Sequence, residues 1–364
     1  MLLLAFILML HLIIGLVNEN LQDKMVATFF NIILIVLSLI LTVGITFNSD
    51  WNMYYYLFKM EHFKTDFMFT LLTKIFKEFG LGYEDLFIFH IISIIFLFFL
   101  LISKFTRNFV YVFLIYFLLD YVHFTNQIRY YLGFPIMILG LYYLLNKRNY
   151  ILGIGLGILS ILFHNGLAVL LLFIPLFLIK DKNYLKILLY CSVAFALFLF
   201  LVLQYGIGIS FSHFDSYLGG EYETSIIGGI FNALPYIIYL SFLLFEFFRI
   251  TNNYPDKMND QEFVFLMKLS FFSVLFLLSS LFLQIIGHRY ILPFSIFWII
   301  FYLKMISGLP HKIRFLKMVL FSLVHLLALM CIYILPDLFL PQNHMKEELY
   351  LIIESIPYLK DVFY

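Results

Sequence analysis

Long apolar runs separated by short polar breaks occupy most of this chain. A helix that crosses a bilayer needs roughly 20 apolar residues, with a range of about 17 to 25. By that measure about twelve runs are candidate spans, and the chain is predicted to be an all-α, polytopic integral membrane protein with one transmembrane domain, 1–364. The runs are 1–17, 25–45, 86–103, 109–124, 130–145, 150–163, 166–179, 187–203, 227–248, 263–286, 290–306 and 318–335.

Lysine and arginine mark every second break between these runs. Because both residues favour the cytoplasmic side of short loops, those breaks are predicted to be cytoplasmic and both termini external. The long breaks 46–85 and 204–226 then become external loops, and 336–364 becomes a C-terminal tail at the membrane interface. The basic residues that follow or border these breaks are Lys24, Lys104, Arg107, Lys147, Arg148, Lys180, Lys182, Lys186, Arg249, Lys257, Lys268, Lys304, Lys312, Arg314 and Lys317.

Two neighbouring runs, 150–163 and 166–179, are unusually short. At 1.5 Å per residue each would reach only about 21 Å, whereas the hydrocarbon core is about 30 Å thick. A single long helix would place Lys147 and Lys180 on opposite sides, against the charge rule. The sequence therefore predicts a short hairpin that turns at His164-Asn165-Gly166, below the outer surface.

The composition excludes several classes of protein. Hydrophobic residues make up 63% of the chain and charged residues 12%, far from the roughly one quarter charged of a soluble domain. A net charge of +1 gives no reason to expect a nucleic-acid partner. The two cysteines, Cys191 and Cys331, lie in apolar runs and predict neither a disulfide framework nor a zinc site. Without a metal-binding or nucleotide-binding motif, no cofactor and no metal are predicted.

The polar residues that need an explanation fall on the predicted external side. Arg129 and Arg289 go against the charge rule there. Each either forms a structural pair or binds an anion, for which the planar guanidinium is well suited. An arginine near the interface can also simply reach up to lipid phosphates. The candidate catalytic residues are Asp50, Arg129, His164 and Arg289, and the candidate substrate-binding residues are Trp51, Tyr54, Asn126, Gln127, Asn165, His288 and Tyr290.

Aromatic residues around Asp50 allow two interpretations. An acid beside Trp51 and Tyr54 is a common way to hold a sugar, with the ring on the sugar face and the carboxylate on its hydroxyls. The same aromatics also fit an interfacial belt. His164, at the end of a glycine-rich run, is a candidate site residue because polar groups within the membrane often mark function. It is equally consistent with a hydrogen-bonded packing residue.

The order of four short motifs resembles that of the EpsG family of exopolysaccharide proteins, which are similar to Wzy-type polysaccharide polymerases. The motifs are Asn48-Ser49-Asp50-Trp51, Gln127-Ile128-Arg129, Phe163-His164-Asn165 and a late Arg289, and the resemblance covers about 47–302. Two departures are visible: Asn48-Ser49 stands where the family usually has a glycine shortly before the acid, and Asn165 where a serine often follows the histidine.

The resemblance implies glycosyl transfer on the external face of a bacterial cytoplasmic membrane, in capsule, exopolysaccharide or O-antigen synthesis. The fold would then be similar to membrane glycosyltransferases of the GT-C type. The donor and acceptor would both be oligosaccharides linked to undecaprenyl pyrophosphate, with membrane lipids, a flippase and a chain-length regulator as further partners. Arg129 and Arg289 would stabilise the leaving group.

Two residues remain candidates for the general base in that reaction. His164 and Asp50 could each take the acceptor proton, and Asp50 is preferred because a carboxylate also stabilises a cationic sugar.

Three other classes stay open at this point. A flippase for lipid-linked sugars would spread its polar groups toward both sides of the membrane, whereas here they cluster on one. A membrane acyltransferase would usually keep its histidine and arginine near the cytoplasmic side. A structural subunit would give the buried histidine and the external arginines no purpose.

Overall fold

The computed structural model describes residues 24–60, 66–205, 226–335 and 344–358. The predicted span 1–17 and nearly all of the predicted loop 204–226 lie outside these residues. Within the described residues every regular element is a helix, which confirms the all-α prediction.

The α-helices are α1 Lys24–Val43, α2 Trp51–Lys59, α3 Phe67–Glu78, α4 Tyr83–Phe105, α5 Phe109–Asn126, α6 Ile128–Leu141, α7 Tyr150–Phe163, α8 Phe173–Phe177, α9 Asp181–Tyr205, α10 Ile226–Asn253, α11 Gln261–Phe272, α12 Gln284–Tyr290, α13 Ser295–Ile306, α14 His311–Tyr333 and α15 His344–Glu354. A π-helical turn, Tyr142–Asn146, extends α6. Short 3-10 segments occupy Asn165–Leu172, Pro255–Asn259, Ser273–Phe276, Ser279–Leu281 and Leu292–Phe294.

Seven helices in the described residues are long and apolar enough to cross a membrane, so the chain is a multi-pass membrane protein. They coincide with seven of the predicted spans and cover Tyr83–Phe105, Phe109–Asn126, Ile128–Asn146, Asp181–Val202, Gly228–Asn253, Gln284–Ile306 and His311–Tyr333. Three more predicted spans correspond to shorter apolar helices at Thr28–Val43, Tyr150–Phe163 and Asn165–Phe177. The last of these is mostly 3-10 rather than α-helical. The count of about twelve therefore exceeds the long helices that the described residues contain.

The predicted span 263–286 is not one helix. Its α-helical part ends at Phe272, and two 3-10 segments follow before α12 begins. Serine side chains explain part of the break, because a hydroxyl that bonds a nearby carbonyl competes with helical hydrogen bonds. The Ser273 hydroxyl donates to the Ser270 carbonyl at 3.0 Å, and the Ser280 hydroxyl donates to the Leu277 carbonyl at 2.7 Å.

The chain forms two compact units. The first comprises 1–172 and 344–364, and the second comprises 173–343. In the first unit, α6 and α7 approach closely because glycines line their contact. A Cβ on Gly140 would lie 3.0 Å from the Gly153 carbonyl oxygen, and one on Gly153 would lie 2.8 Å from the Leu144 backbone nitrogen. Small residues allow this approach where helices pack in membranes.

The predicted loop 46–85 is largely helical. It contains α2, α3 and the start of α4, and α3 packs against both α4 and α7. The C-terminal helix α15, within the predicted tail 336–364, packs against α5 in the same unit. These contacts bring polar residues from four separate parts of the sequence to the junction between α5 and α6.

Candidate functional site

An arginine held by an aspartate lies near the start of α6. The Arg129 guanidinium donates from Nη1 to Oδ2 of Asp66 at 2.8 Å, and the side chains are only 12% and 9% exposed. The other Asp66 oxygen accepts the backbone N–H of Asn165 at 3.0 Å. One carboxylate thus joins the residue before α3, the start of α6 and the segment after α7.

Aromatic rings complete the surroundings of this arginine. The guanidinium carbon lies 5.0 Å from the centre of the Tyr54 ring and 5.4 Å from that of Phe69. The face of an aromatic ring attracts a cation placed above it, so these contacts stabilise the charge of the guanidinium. The buried Nε of Arg129 has no hydrogen-bond partner among the described residues.

A bond to the backbone sets the chemistry of His164. Its ring lies edge-on to Tyr130, with the centroids 5.4 Å apart. Its Nδ1 accepts the backbone N–H of Gly166 at 3.0 Å. A neutral imidazole whose Nδ1 accepts carries its proton on Nε2. In this arrangement Nε2 is a donor, which suits binding an oxygen better than removing a proton.

A second polar group surrounds Asn126, at the C-terminal end of α5. Its amide nitrogen donates to the Ser49 hydroxyl at 2.9 Å and also to the carboxylate of Glu348 on α15. Asn126 is 6% exposed, and its buried Oδ1 has no hydrogen-bond partner among the described residues. An acceptor of this kind fits a sugar hydroxyl.

Glu348 is an unusual acid in this position. Its burial, together with the negative charge of nearby Asp50, raises its pKa to about 7, and the hydrogen bond from Asn126 opposes that rise. Two carboxylates therefore approach each other beside the Asn126 amide. Asp50 is the residue just before α2 and is partly exposed.

The aromatic residues beside Asp50 are packed into the protein. Trp51 is 9% exposed, with its ring centroid 4.9 Å from that of Tyr83 and 5.0 Å from that of Phe87. Tyr54 is 3% exposed and lies under Arg129. This packing favours a role for both rings in shaping the site rather than as an open platform for a sugar.

Gln127 occupies the one-residue junction between α5 and α6. Its backbone (φ −92°, ψ 53°) separates the end of one helix, at Asn126, from the start of the next, which carries Arg129. The buried Gln127 Oε1 has no hydrogen-bond partner among the described residues, so it is a second acceptor for hydroxyls.

The remaining predicted residues belong to the second unit. His288, Arg289 and Tyr290 end α12, and all three are partly exposed. His288 Nδ1 lies 3.5 Å from the Tyr236 hydroxyl, and the Tyr290 ring stacks on Phe276 with centroids 5.0 Å apart. The first unit thus brings together the predicted residues Asp50, Trp51, Tyr54, Asn126, Gln127, Arg129, His164 and Asn165.

Two residues of this site escaped the sequence analysis. Asp66 is one acid among several in a polar stretch, and only its place directly before an amphipathic helix sets it apart. Glu348 lies in a tail whose mixed composition hides an 11-residue helix. No cluster of three or more His, Cys, Asp or Glu residues that could hold a metal ion occurs within the described ranges.

The fold and this site define a class: a multi-pass, all-helical membrane protein with a buried arginine and hydroxyl acceptors next to paired acids. Within that class the chain belongs to the EpsG family, whose model matches residues 28–344, most of its length. The predicted family is thereby confirmed, and the protein is a membrane protein of polysaccharide biosynthesis, in a family associated with polymerase-like proteins. No curated protein and no solved structure matches the chain.

Proposed function

We propose that this protein is a glycosyltransferase that polymerises polysaccharide from oligosaccharide repeat units linked to undecaprenyl pyrophosphate. The reaction takes place on the external face of the bacterial cytoplasmic membrane, during capsule, exopolysaccharide or O-antigen synthesis. The observation that carries the proposal is the buried Arg129, oriented by Asp66 and with its Nε unpartnered among the described residues, in a member of the EpsG family.

Arg129 is suited to the pyrophosphate of the donor. Asp66 takes one hydrogen bond from Nη1 and holds the guanidinium plane in place. Nε lies on the same planar fork, and a fork of this kind binds phosphate oxygens in pairs. As the glycosidic bond to the pyrophosphate breaks, negative charge grows on those oxygens, and a preorganised cation stabilises it most at that point. In the second unit, Arg289 remains a proposed phosphate-binding residue.

The other site residues would serve the sugars. The side-chain carbonyl oxygens of Asn126 and Gln127 accept hydroxyl protons, and His164, protonated on Nε2, donates to a sugar oxygen. Asp50 stabilises positive charge on the reacting sugar ring, as carboxylates do for oxocarbenium-like transition states.

Asn165, His288 and Tyr290 remain proposed contacts for substrate, whereas Trp51 and Tyr54, predicted as substrate contacts, are proposed to hold the shape of the site in the first unit. Because the donor and acceptor are lipid-linked, both reach the site from the bilayer. A flippase and a chain-length regulator remain proposed partners.

The test uses the purified full-length protein in lipid nanodiscs with lipid-linked repeat units, followed by glycan sizing on a gel. The wild-type protein should convert single repeats into a ladder of longer chains. Arg129→Lys and Arg289→Lys should lower the rate at least about tenfold with unchanged protein levels, because lysine keeps the charge but loses the fork. Arg107→Lys, at an exposed arginine, is the matched control and should be normal.

Two results would count against the proposal. If the wild-type protein moves lipid-linked sugars across the bilayer without lengthening them, the flippase alternative is correct. If both lysine variants, Arg129→Lys and Arg289→Lys, polymerise at the wild-type rate, paired binding of phosphate is wrong and the arginines serve the membrane interface instead.

A further inference from the structure

The C-terminal helix brings an acid into the first unit from far away in the sequence. Glu348 and Asn126 are 222 residues apart, yet the Asn126 amide donates to the Glu348 carboxylate. Two further contacts tether the end of this segment to α1 and to the region just after it. Thr46 donates its hydroxyl to the Ser355 carbonyl at 2.6 Å, and the Tyr358 hydroxyl donates to the Ile40 carbonyl.

The Asn126 side chain links the acid to a second hydrogen-bonding position, its own carbonyl oxygen. Its nitrogen is shared between Glu348 and Ser49, which fixes the orientation of the amide. Its oxygen is buried and unpartnered among the described residues. A sugar hydroxyl that donates to this oxygen would therefore lie next to the Glu348 carboxylate. Arg129 follows three residues later, at the start of the next helix.

Resting on the function proposed above, we infer that Glu348 is a catalytic residue, the proton acceptor for the attacking hydroxyl, and that Asp50 stabilises the sugar cation. In the step, the acceptor oxygen forms a bond to the anomeric carbon. The bond from that carbon to the pyrophosphate oxygen breaks, and its electron pair stays with undecaprenyl pyrophosphate. The hydroxyl proton passes to Glu348 and from there to water, so no co-reactant is needed.

The electrostatics divide the two acids between these roles. Where neighbouring carboxylates have environments that push their pKa values apart, one acts as acid or base and the other stays charged. Burial and the charge of Asp50 raise the pKa of Glu348 to about 7, and a base works best when its pKa is close to the working pH. Asp50, partly exposed at the start of α2, would provide the negative charge for the sugar.

The polar and charged groups near Glu348 lie on three elements, and of these Asp50 and Asn126 shift its pKa. Asp50 faces Glu348 from the start of α2, and Asn126 contacts it from the end of α5. Further along α5 lie His123 and Asp120, which contact each other at 3.5 Å. On α15 itself the charged neighbours are Lys346 and Glu347.

The first experiment measures kcat/KM against pH, from mildly acidic to mildly alkaline, in the nanodisc assay. Because Glu348 must be ionised to accept a proton, the wild-type rate should rise with pH through about 7 and then level off. Glu348→Gln should lose roughly two to four orders of magnitude and the pH dependence with it. Glu347→Gln, at a neighbouring acid on the same helix, should keep both the rate and the profile.

Asp50→Asn separates a proton acceptor from a packing residue. It should lower the rate but keep the rise with pH, with the midpoint moved to lower pH, because Asp50 helps to raise the pKa of Glu348. If Glu348 only held the helix in place, Asp50→Asn would not move the midpoint of the pH profile. Glu348→Ala should regain activity with added formate, which supplies a carboxylate to the vacated space.

Distinct outcomes would overturn this assignment. A Glu348→Gln protein with the wild-type rate and pH profile refutes it, and so does an Asp50→Asn protein that loses the pH dependence while Glu348→Gln keeps it. Chain growth by the wild-type protein in either case leaves the proposed function standing. If the wild-type protein makes no chains at all, the proposed function fails and this inference fails with it.

Discussion

Replacing Asp66 with asparagine should destabilise the first unit and weaken the site together. Each Asp66 oxygen accepts one donor, the Arg129 guanidinium on one side and the Asn165 backbone N–H on the other. Asparagine has a single acceptor oxygen, so its NH₂ group must face one of these donors. One hydrogen bond is lost, and the buried Arg129 charge loses its counter-ion.

The magnitude follows from the burial of the pair. Removing one partner of a buried ion pair costs about 3–5 kcal/mol, because the remaining charge is left uncompensated. Since the oxygen of the substituted asparagine can still accept one bond, we expect the lower end, about 3 kcal/mol, which corresponds to a factor of about one hundred in the folding equilibrium. Glycan synthesis should fall as well, because Arg129 is no longer held in one orientation.

The assay is denaturant-induced unfolding in detergent micelles, with Glu84→Gln as the control at an exposed acid on α4. The double variant Asp66→Asn/Arg129→Met adds a second test. It removes the stranded charge and should recover most of the lost stability, although not the activity. An Asp66→Asn protein as stable as the control, or a double variant with strictly additive losses, would show that the pair does not hold this region together.

Two further predictions concern the helices. Gly153→Ala should lower stability by about 1–3 kcal/mol, because its Cβ would meet the Leu144 backbone at 2.8 Å. Gly155→Ala, with nothing within 4 Å of its Cβ, should be neutral or slightly stabilising, and thermal unfolding in detergent compares the two. A topology reporter fused after Arg148 or Lys182 should give a cytoplasmic signal and one after Gly220 an external signal. A cytoplasmic signal after Gly220 would remove the basis for an external site.

The long apolar helices were predictable because a helix that crosses the lipid must be apolar and about 20 residues long. The hydropathy of the sequence shows both properties directly. Residues 109–124, for example, agree with Phe109–Asn126 within two residues at each end. The break after Phe272 was not predictable in the same way. Residues 263–286 are apolar enough overall to be predicted as one span, although they include Lys268 and four serines. Part of the interruption comes from local hydrogen bonds of those serines, which hydropathy does not include.

In the site, the sequence identified residues whose burial in a membrane costs much free energy. It did not identify residues whose role depends on tertiary contacts. Arg129 and His164 stood out because charged and polar groups at helix ends are conspicuous in an apolar chain. Asp66 and Glu348 lie in polar stretches, where one acid looks like another. Only the folded chain distinguishes them, through the bonds to Arg129 and to Asn126.

The discontinuity of the first unit has a consequence for how the protein is made. Residues 173–343 separate the two parts of that unit, so the ribosome completes the entire second unit before α15 is synthesised. Arg129 and Asp66 can pair early, while the nascent chain is still growing. The Glu348 carboxylate can reach its position only after residues 173–343 have been synthesised. If Glu348 is the proton acceptor, an unfinished chain in the membrane can bind its lipid-linked sugars but cannot yet join them.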